Sequence, residues 1–450
     1  MERHGFFNDR LPGILLALAA AGAALLRILG LGYMPPDDVM RHSAFAVTNR
    51  AWDGILVGRA EALFDQSPGW HALLRLVHGL TGADAGALAV LSIVLGFLLV
   101  VGAGLAWVRR PEAWVATLAA FFALDGALAQ RVTLGRPLLV SASLAILLLG
   151  SLRTPGLRPW LSLRSLGWMA AGTLATWIHG SWYLFLLIPG CLVLAGRWRE
   201  ALRLAPLFLA GCALGALLTG HPWHFLAGEV AHVVSALGKG EPSVVMELQP
   251  GRGGQSLALA VIAVLVAWRG GADRRDAVLI LGGVAWILGF LWIWRFYLDW
   301  AFPALALSVA WRLEGFLERL RPPRWGRPAM ALLAAAALVA AVGWNRRDRW
   351  SVDGAIYGLP PSRRDLLPEP GGVLYANSMF VFYATFHLNP EGAWRYAPGY
   401  EPALLEPADR RLYFEAQRLG PGALAPWAER MTPRDRMVIL GPPQAPPPLP

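Results

Sequence analysis

The sequence is poor in charged residues, which make up 16% of its 450 positions, whereas 56% of its residues are hydrophobic. Soluble globular proteins carry about 25% charged residues. The charged residues cluster between long uncharged segments, so the deficit is local rather than uniform. This distribution excludes one large soluble core and predicts an α-helical polytopic membrane protein.

The sequence also lacks residues that several functional classes require. Its two cysteines, Cys191 and Cys212, lie within hydrophobic segments, so neither a disulfide framework nor a thiolate metal site is supported. Lys239 is the only lysine, and the arginines occupy short connections between hydrophobic segments, so the net charge of +10 does not indicate nucleic-acid binding. No glycine-rich phosphate loop, dinucleotide fingerprint or serine-hydrolase elbow occurs. Any energy or activated group therefore has to come from a lipid-borne substrate or a gradient.

Hydrophobic segments of about 16–22 residues, long enough to cross the hydrocarbon layer as helices, recur along the chain. They predict about eleven spans, and their number depends on how short or alanine-rich segments are counted. The predicted spans are 11–32, 84–108, 112–130, 137–152, 165–179, 180–196, 201–219, 254–268, 277–294, 298–313 and 329–344.

The arginines predict the orientation of these spans. With the N-terminus in the cytoplasm of a bacterial cell, every predicted cytoplasmic connection of the inner-membrane protein is basic, as the positive-inside rule requires. One continuous helix over 165–196 would place the basic connections 269–275 and 312–327 outside. A break at His179-Gly180-Ser181 keeps them inside, and we therefore predict the break.

The last segment has a different character, since it is richer in proline and charge. Strand-like patterns occur at 373–375 and 437–440, and a polar helix is predicted near 408–418. We predict a transmembrane domain over 1–344, whose extracytoplasmic loop 33–83 carries the candidate site. A small extracytoplasmic soluble α/β domain is predicted over 345–450.

Two adjacent carboxylates follow the first predicted span in the sequence Pro-Pro-Asp37-Asp38. On a helix that starts here, Asp37 can face Arg41 and Asp38 can face His42. A carboxylate at the membrane boundary with such neighbours could serve as a general base towards a hydroxyl or amine. The same pair suits a helix N-cap, so one aspartate can cap the helix while the other remains for chemistry. His71 is a further candidate, although aromatic anchoring explains most of its surroundings.

A second candidate set lies near the outer ends of later spans, where charges usually face a bundle interior or a watery cavity. Several cationic groups there would suit a phosphate or pyrophosphate, although arginines at helix ends can also simply extend to the interface. Asp125, inside the third predicted span, could pair with one of them. No metal site is predicted, because His221 and His224 have no nearby third ligand. The members of this set are Arg131, Arg136, His179, Arg295 and Asp299.

This combination resembles the membrane glycosyltransferases with the GT-C fold, which use polyprenyl-phosphate-linked sugars. Those enzymes place an acidic residue in the first extracytoplasmic loop, as Asp37-Asp38 would be. They also carry basic residues on later outer loops, similar to Arg131 and the Gly135-Arg136-Pro137 turn. Many end in a soluble extracytoplasmic domain, as 345–450 would be.

The resemblance implies an inverting transferase that moves a hexose or pentose from a polyprenyl-phosphate donor to a glycan, lipid or protein acceptor. Asp37 or Asp38 would be the general base, and Arg131, Arg136 or Arg295 would hold the lipid phosphate. A divalent metal is not demanded, and membrane lipids rather than nucleic acid are the expected surroundings. Two alternatives stay open: a polysaccharide polymerase or ligase that uses a lipid pyrophosphate, and a secondary transporter, which would show paired broken helices and repeat symmetry.

Overall fold

A computed structural model describes residues 3–153, 156, 162–236, 246–251, 253–271, 273, 276–320, 326–344 and 358–441. Parts of the predicted basic connections 269–275 and 312–327 and the start of the C-terminal segment at 345–357 lie outside the described residues. The described chain is mostly helical and carries one small sheet. Its α-helices, α1 to α20 in chain order, are Arg3–Gly30, Asp38–Val47, Trp52–Ile55, Pro68–Thr81, Ala85–Leu105, Pro111–Leu124, Gly126–Thr133, Leu138–Ser151, Leu163–His179, Leu187–Leu194, Trp198–Leu217, Pro222–Ala236, Gly254–Arg269, Ala277–Leu291, Trp294–Phe296, Phe302–Leu320, Gly326–Trp344, Met379–Leu388, Pro407–Leu419 and Ala425–Arg430.

Contacts group the chain into two compact units. The first unit comprises 1–33, 93–220 and 245–349, and the second comprises 34–92, 221–244 and 350–450. The boundary that we predicted at 344 and 345 stays a prediction.

Within the described residues, four helices are long and apolar enough to cross a membrane, and a bent helix pair brings the number to as many as five. Several other predicted spans correspond to apolar helices of 10–17 residues. The prediction of a multi-pass helical protein is confirmed, whereas the number of about eleven spans stays a prediction. The four long helices are Arg10–Gly30, Ala85–Leu105, Trp198–Leu217 and Gly326–Gly343.

Close packing of α9 against α11 organises part of the first unit. A Cβ atom added to Gly211 would lie 1.9 Å from the carbonyl oxygen of Met169, and one added to Gly172 would lie 2.2 Å from that of Phe208. The two backbones approach closely because glycine occupies the contact, which is the usual basis of tight helix packing in membranes.

The predicted span 112–130 is not one continuous helix. Helix α6 ends at Leu124, α7 begins at Gly126, and the two meet at an angle of 114°. Asp125 has an extended backbone at the junction, and its carboxylate accepts a hydrogen bond from the backbone N–H of Ala127, which caps α7. The polar residue that we placed inside the span therefore starts a new helix.

The predicted break at His179-Gly180-Ser181 is confirmed as a helix end. Helix α9 ends at His179, and Gly180 adopts the left-handed conformation with φ of 71°. Glycine is the residue that takes this conformation without steric cost. Residues Trp182–Leu186 then form a 3-10 turn that leads into α10.

The second unit combines helices with a three-stranded parallel sheet. The strands are β1 Val373–Ala376, β2 Arg395–Ala397 and β3 Arg436–Val438, in the order β2-β1-β3. The predicted strands at 373–375 and 437–440 and the helix near 408–418 correspond to β1, β3 and α19. Helices α4 and α18 pack against α2, so the segment after the first span and the C-terminal segment share one core.

Candidate functional site

The first candidate site begins at the N-terminus of α2, where Asp37 and Asp38 take different roles. Asp37 is the N-cap, and its carboxylate accepts a hydrogen bond of 2.6 Å from the backbone N–H of Asp38. Asp38 is the first residue of the helix. The sequence predicted that one aspartate caps the helix while the other remains for chemistry, and the structure assigns the cap to Asp37.

Arg41 holds the Asp38 carboxylate through two nitrogen atoms. Its Nη2 and Nε lie 3.0 Å and 3.1 Å from Oδ1 of Asp38, and the Tyr383 hydroxyl lies 3.4 Å from the same oxygen. The guanidinium carbon of Arg41 lies 3.9 Å from the centre of the Tyr400 ring, a cation–π contact. Burial alone would lower the pKa of Arg41, but Asp38, Tyr400, Tyr383 and Glu401 together outweigh burial and raise that pKa. Arg41 is therefore a permanent cation beside the carboxylate.

Two histidines in contact with each other, His42 and His71, connect Arg41 to Asp65 in the core of the second unit. The Nη2 atom of Arg41 lies 3.2 Å from Nε2 of His42, and Nδ1 of His42 lies 2.7 Å from Nε2 of His71. Nδ1 of His71 in turn lies 2.7 Å and 2.9 Å from the two carboxylate oxygens of Asp65. Both histidines are buried, with exposed fractions of 1% and 0%.

The charge states of Asp65 and His71 follow from the balance between burial and their neighbours. Burial lowers the pKa of His71, an effect that the charge of Asp65 only partly offsets. The pKa of Asp65 is also lowered, because hydrogen bonds and the charges of neighbouring groups outweigh the effect of its burial. At neutral pH, Asp65 is therefore a carboxylate and His71 a neutral imidazole.

The second candidate site lies in the first unit, where Arg131 makes a two-pronged ion pair with Asp299. Its Nε and Nη2 atoms lie 2.7 Å and 2.9 Å from the two oxygens of that carboxylate. Arg295 contributes a third contact, because its Nε lies 3.2 Å from Asp299. Asp299 lies on a π-helical turn, Tyr297–Ala301, between α15 and α16.

Glu247 joins the arginines of this cluster. Its Oε1 atom lies 2.5 Å from Nη1 of Arg131 and 3.0 Å from Nη1 of Arg136. Arg131, Arg136 and Arg295 carry three positive charges, against two negative charges on Asp299 and Glu247, so this group of five has a net positive charge. Such a cluster can exchange one carboxylate for a more highly charged anion.

The described hydrogen bonds of His179 and Asp125 go to hydroxyl groups and to the backbone. Nδ1 of His179 lies 2.7 Å from the hydroxyl of Ser181 and 3.4 Å from that of Ser141. Asp125, which we expected to pair with an arginine, instead accepts a hydrogen bond of 2.7 Å from the Tyr297 hydroxyl. Its described partners are this hydroxyl and the α7 backbone, so it fixes the helix bend.

The structure thus brings Arg131, Arg136, Arg295 and Asp299 together in one unit and Asp38, Arg41, His42 and His71 together in the other. The sequence reasoning missed the partners of both groups. Glu247 lies in a connection between helices whose sequence shows no helix or strand pattern. Tyr383 and Tyr400 lie more than 300 positions after α2. No cluster of three or more His, Cys, Asp or Glu side chains suited to a metal ion occurs among the described residues.

Comparison with known proteins defines the fold. No protein-family model and no curated protein matches the sequence. The structure is similar to ArnT from Cupriavidus metallidurans in the apo state, with a TM-score of 0.56 at 16% identity, over 94% of this chain and 96% of that one.

It is also similar to the archaeal oligosaccharyltransferase AglB from Archaeoglobus fulgidus, in a complex of that protein with an inhibitory peptide and a dolichol-phosphate. The TM-score is 0.55 at 15% identity, over 89% of this chain and 65% of AglB. The apo form of the Archaeoglobus fulgidus oligosaccharyltransferase gives a TM-score of 0.50 at 13% identity. This chain thus spans slightly less than two thirds of the oligosaccharyltransferase. These neighbours are GT-C glycosyltransferases, and the predicted GT-C fold is confirmed.

Proposed function

We propose that this protein is a GT-C glycosyltransferase that moves a sugar from a polyprenyl-phosphate donor to an extracytoplasmic acceptor with inversion at the anomeric carbon. The observation that carries the proposal is the carboxylate of Asp38 at the start of α2, held by Nε and Nη2 of Arg41. The GT-C fold and the apolar helices support it, because one neighbour of the same fold is an oligosaccharyltransferase in complex with a dolichol-phosphate.

Asp38 is the general base in this proposal, and Asp37 is the helix cap. The Asp38 carboxylate takes the proton of an acceptor hydroxyl or amine as that atom bonds to the anomeric carbon. The bond between the anomeric carbon and the phosphate oxygen breaks, and its electron pair leaves with the polyprenyl phosphate. Arg41 keeps Asp38 ionised and oriented, because an adjacent cation favours the charged form of a carboxylate.

The arginine cluster of the first unit binds the phosphate of the donor. Arg131 and Arg136 both point a guanidinium nitrogen at one oxygen of Glu247, and a phosphate oxygen offers the same kind of acceptor with more charge. Asp299 orients Arg131, and Arg295 adds a further positive charge to the cluster. We propose that phosphate takes the position of Glu247, while the buried pair of Arg131 and Asp299 persists.

Tyr400 is a candidate contact for the acceptor. Its side chain is buried, and its hydroxyl has no hydrogen-bond partner among the described residues. A buried hydroxyl without a partner costs about 1–3 kcal/mol, so a polar substrate group that reaches it is favoured. We further propose that 33–83 and 345–450 lie outside the bacterial inner membrane and that the N-terminus lies inside.

Donor turnover by the purified protein tests the function. The protein in lipid nanodiscs is incubated with undecaprenyl phosphate linked to a hexose or to a pentose. We expect release of undecaprenyl phosphate and a sugar product of inverted anomeric configuration, read by NMR. The doubly substituted Asp37→Asn, Asp38→Asn protein is the inactive control. Solute flux into proteoliposomes without any consumption of donor would contradict the proposal and favour a transporter.

A further inference from the structure

The chain of side chains from Arg41 to Asp65 has chemically fixed ends. An arginine can only donate hydrogen bonds, and an ionised carboxylate can only accept them. Arg41 donates from Nη2 to Nε2 of His42 over 3.2 Å, so that nitrogen carries no proton. Asp65 accepts from Nδ1 of His71 over 2.7 Å, so that nitrogen carries the proton.

The two end conditions determine the contact between the histidines. His42 and His71 share one hydrogen bond of 2.7 Å between Nδ1 and Nε2. A neutral His42 whose Nε2 accepts from Arg41 carries its proton on Nδ1 and donates it to His71. A neutral His71 whose Nδ1 donates to Asp65 has its lone pair on Nε2 and accepts that proton. Every contact is then satisfied, and all the hydrogen bonds run from Arg41 towards Asp65.

The opposite direction fails at Arg41. If a proton sat on Nε2 of His71, it would point at Nδ1 of His42, and the proton of His42 would move to Nε2. That N–H would face Nη2 of Arg41, donor against donor, at an observed separation of 3.2 Å. A doubly protonated histidine would add a positive charge beside the same guanidinium, in a core where charges interact strongly.

We infer that Asp65, His71 and His42 are positioning residues that hold Arg41, and through it Asp38, by a hydrogen-bonded chain that requires both histidines in the neutral Nδ1–H form. The inference rests on the proposed function, because Asp38 has its role there. Arg41 is held on three sides: by His42, by the Asp38 carboxylate and by the ring of Tyr400. Its guanidinium cannot move away from Asp38 unless one of these contacts breaks.

One added proton on either histidine disrupts this series of hydrogen bonds, so we expect activity to fall at acidic pH. Burial lowers the pKa of His71, which delays protonation to a pH below that of an ordinary histidine. Other charged or titratable groups face this core from the elements packed around it, and they set the pH at which the chain opens. They are Asp38 of α2, Arg75 of α4, Glu229 of α12, Tyr383 and His387 of α18, and Tyr400 and Glu401 of the loop after β2.

The tautomers give a test that does not depend on catalysis. The full-length protein, labelled with ¹⁵N-histidine in nanodiscs, is measured by long-range ¹H–¹⁵N NMR at pH 7.5, and His42→Gln and His71→Gln assign the two signals. We expect both rings to be neutral with the proton on Nδ1. An Nε2–H tautomer or a charged ring at either position would overturn the inference and leave the role of Asp38 intact.

The pH profile of donor turnover is the second readout. In the wild type we expect kcat to fall as pH drops below 6.5, the ordinary histidine value, with little change in KM for the donor. His42→Gln keeps one donor and one acceptor but does not titrate. We expect it to retain measurable kcat and to shift the acid limb to lower pH.

Asp65→Asn keeps an acceptor but loses the charge, and we expect kcat to fall about 10- to 100-fold, the range found when the hydrogen-bond partner of a metal-binding side chain is removed. His78→Gln, on the same helix as His71 but hydrogen-bonded to the backbone of Ala83, is the matched control and should leave the profile unchanged. An acid limb that is identical in the wild type, His42→Gln and His71→Gln would overturn the inference. If the tautomers are as expected but no donor is consumed, the proposed function fails instead.

Discussion

Glu247 is the residue whose substitution most directly tests the proposed phosphate site. Its oxygen Oε1 accepts from Arg131 at 2.5 Å and from Arg136 at 3.0 Å, while its side chain is 20% exposed. Hydrogen bonds to charged groups contribute about 1.5–3 kcal/mol, and partial exposure favours the lower end of that range. Glu247→Gln weakens these contacts without a change of shape. A phosphate that competes with Glu247 should therefore bind roughly tenfold more tightly, since tenfold corresponds to about 1.4 kcal/mol.

Asp299 provides the matched comparison, because it contacts the same arginine but is buried. The side chains of Arg131 and Asp299 are 3% and 4% exposed. Removal of one partner from a buried pair costs about 3–5 kcal/mol, so Asp299→Asn should destabilise the protein and weaken phosphate binding.

The assay measures binding of undecaprenyl phosphate to the protein in nanodiscs by calorimetric titration, together with thermal unfolding. We expect Glu247→Gln to bind more tightly at nearly unchanged stability, and Asp299→Asn to unfold at a lower temperature. A folded Glu247→Gln protein that binds the lipid phosphate no better than the wild type would refute the reasoning, because Glu247 would then not occupy the phosphate position.

Two further predictions concern the helices of the first unit, and thermal unfolding in detergent checks both. Gly211→Ala places a Cβ atom 1.9 Å from the Met169 carbonyl and should separate α9 from α11, whereas Gly167→Ala on α9 meets nothing within 4 Å and should be tolerated. Tyr297→Phe removes the hydrogen bond of 2.7 Å to Asp125 and should lower stability by about 1.5–3 kcal/mol, as expected for a hydrogen bond to a charged group. Equal unfolding temperatures for the two alanine variants, or a Tyr297→Phe protein as stable as the wild type, would contradict these assignments.

Local patterns account for much of what the sequence predicted correctly. The end of α9 at His179 follows from Gly180, since a left-handed residue ends a helix whatever surrounds it. The cap at Asp37 follows from the carboxylate before the first helical turn. Each of these features depends on a few neighbouring residues.

Features that depend on distant residues escaped prediction. The contact between Asp38 and Tyr383 joins positions 345 residues apart, and the strand β2 has only three residues and no alternating pattern. The bend at Asp125 was not predicted, because the length of the hydrophobic segment indicated one continuous span. The Asp125 carboxylate starts a new helix, where it accepts hydrogen bonds from the backbone of α7 and from the Tyr297 hydroxyl. These features depend on contacts between residues that are far apart in the sequence, so no single segment predicts them.

The central claim is that the Asp38 carboxylate performs the chemistry, and single-turnover kinetics of Asp38→Asn test it most directly. General-base catalysis contributes about 10²- to 10⁴-fold, so kcat should fall by that factor while donor binding is retained. Asn caps a helix as well as Asp, so Asp37→Asn should keep the fold and most of the activity. Asp53→Asn, an exposed carboxylate of the same segment, is the control. An Asp38→Asn protein that transfers sugar at the wild-type rate would contradict the account.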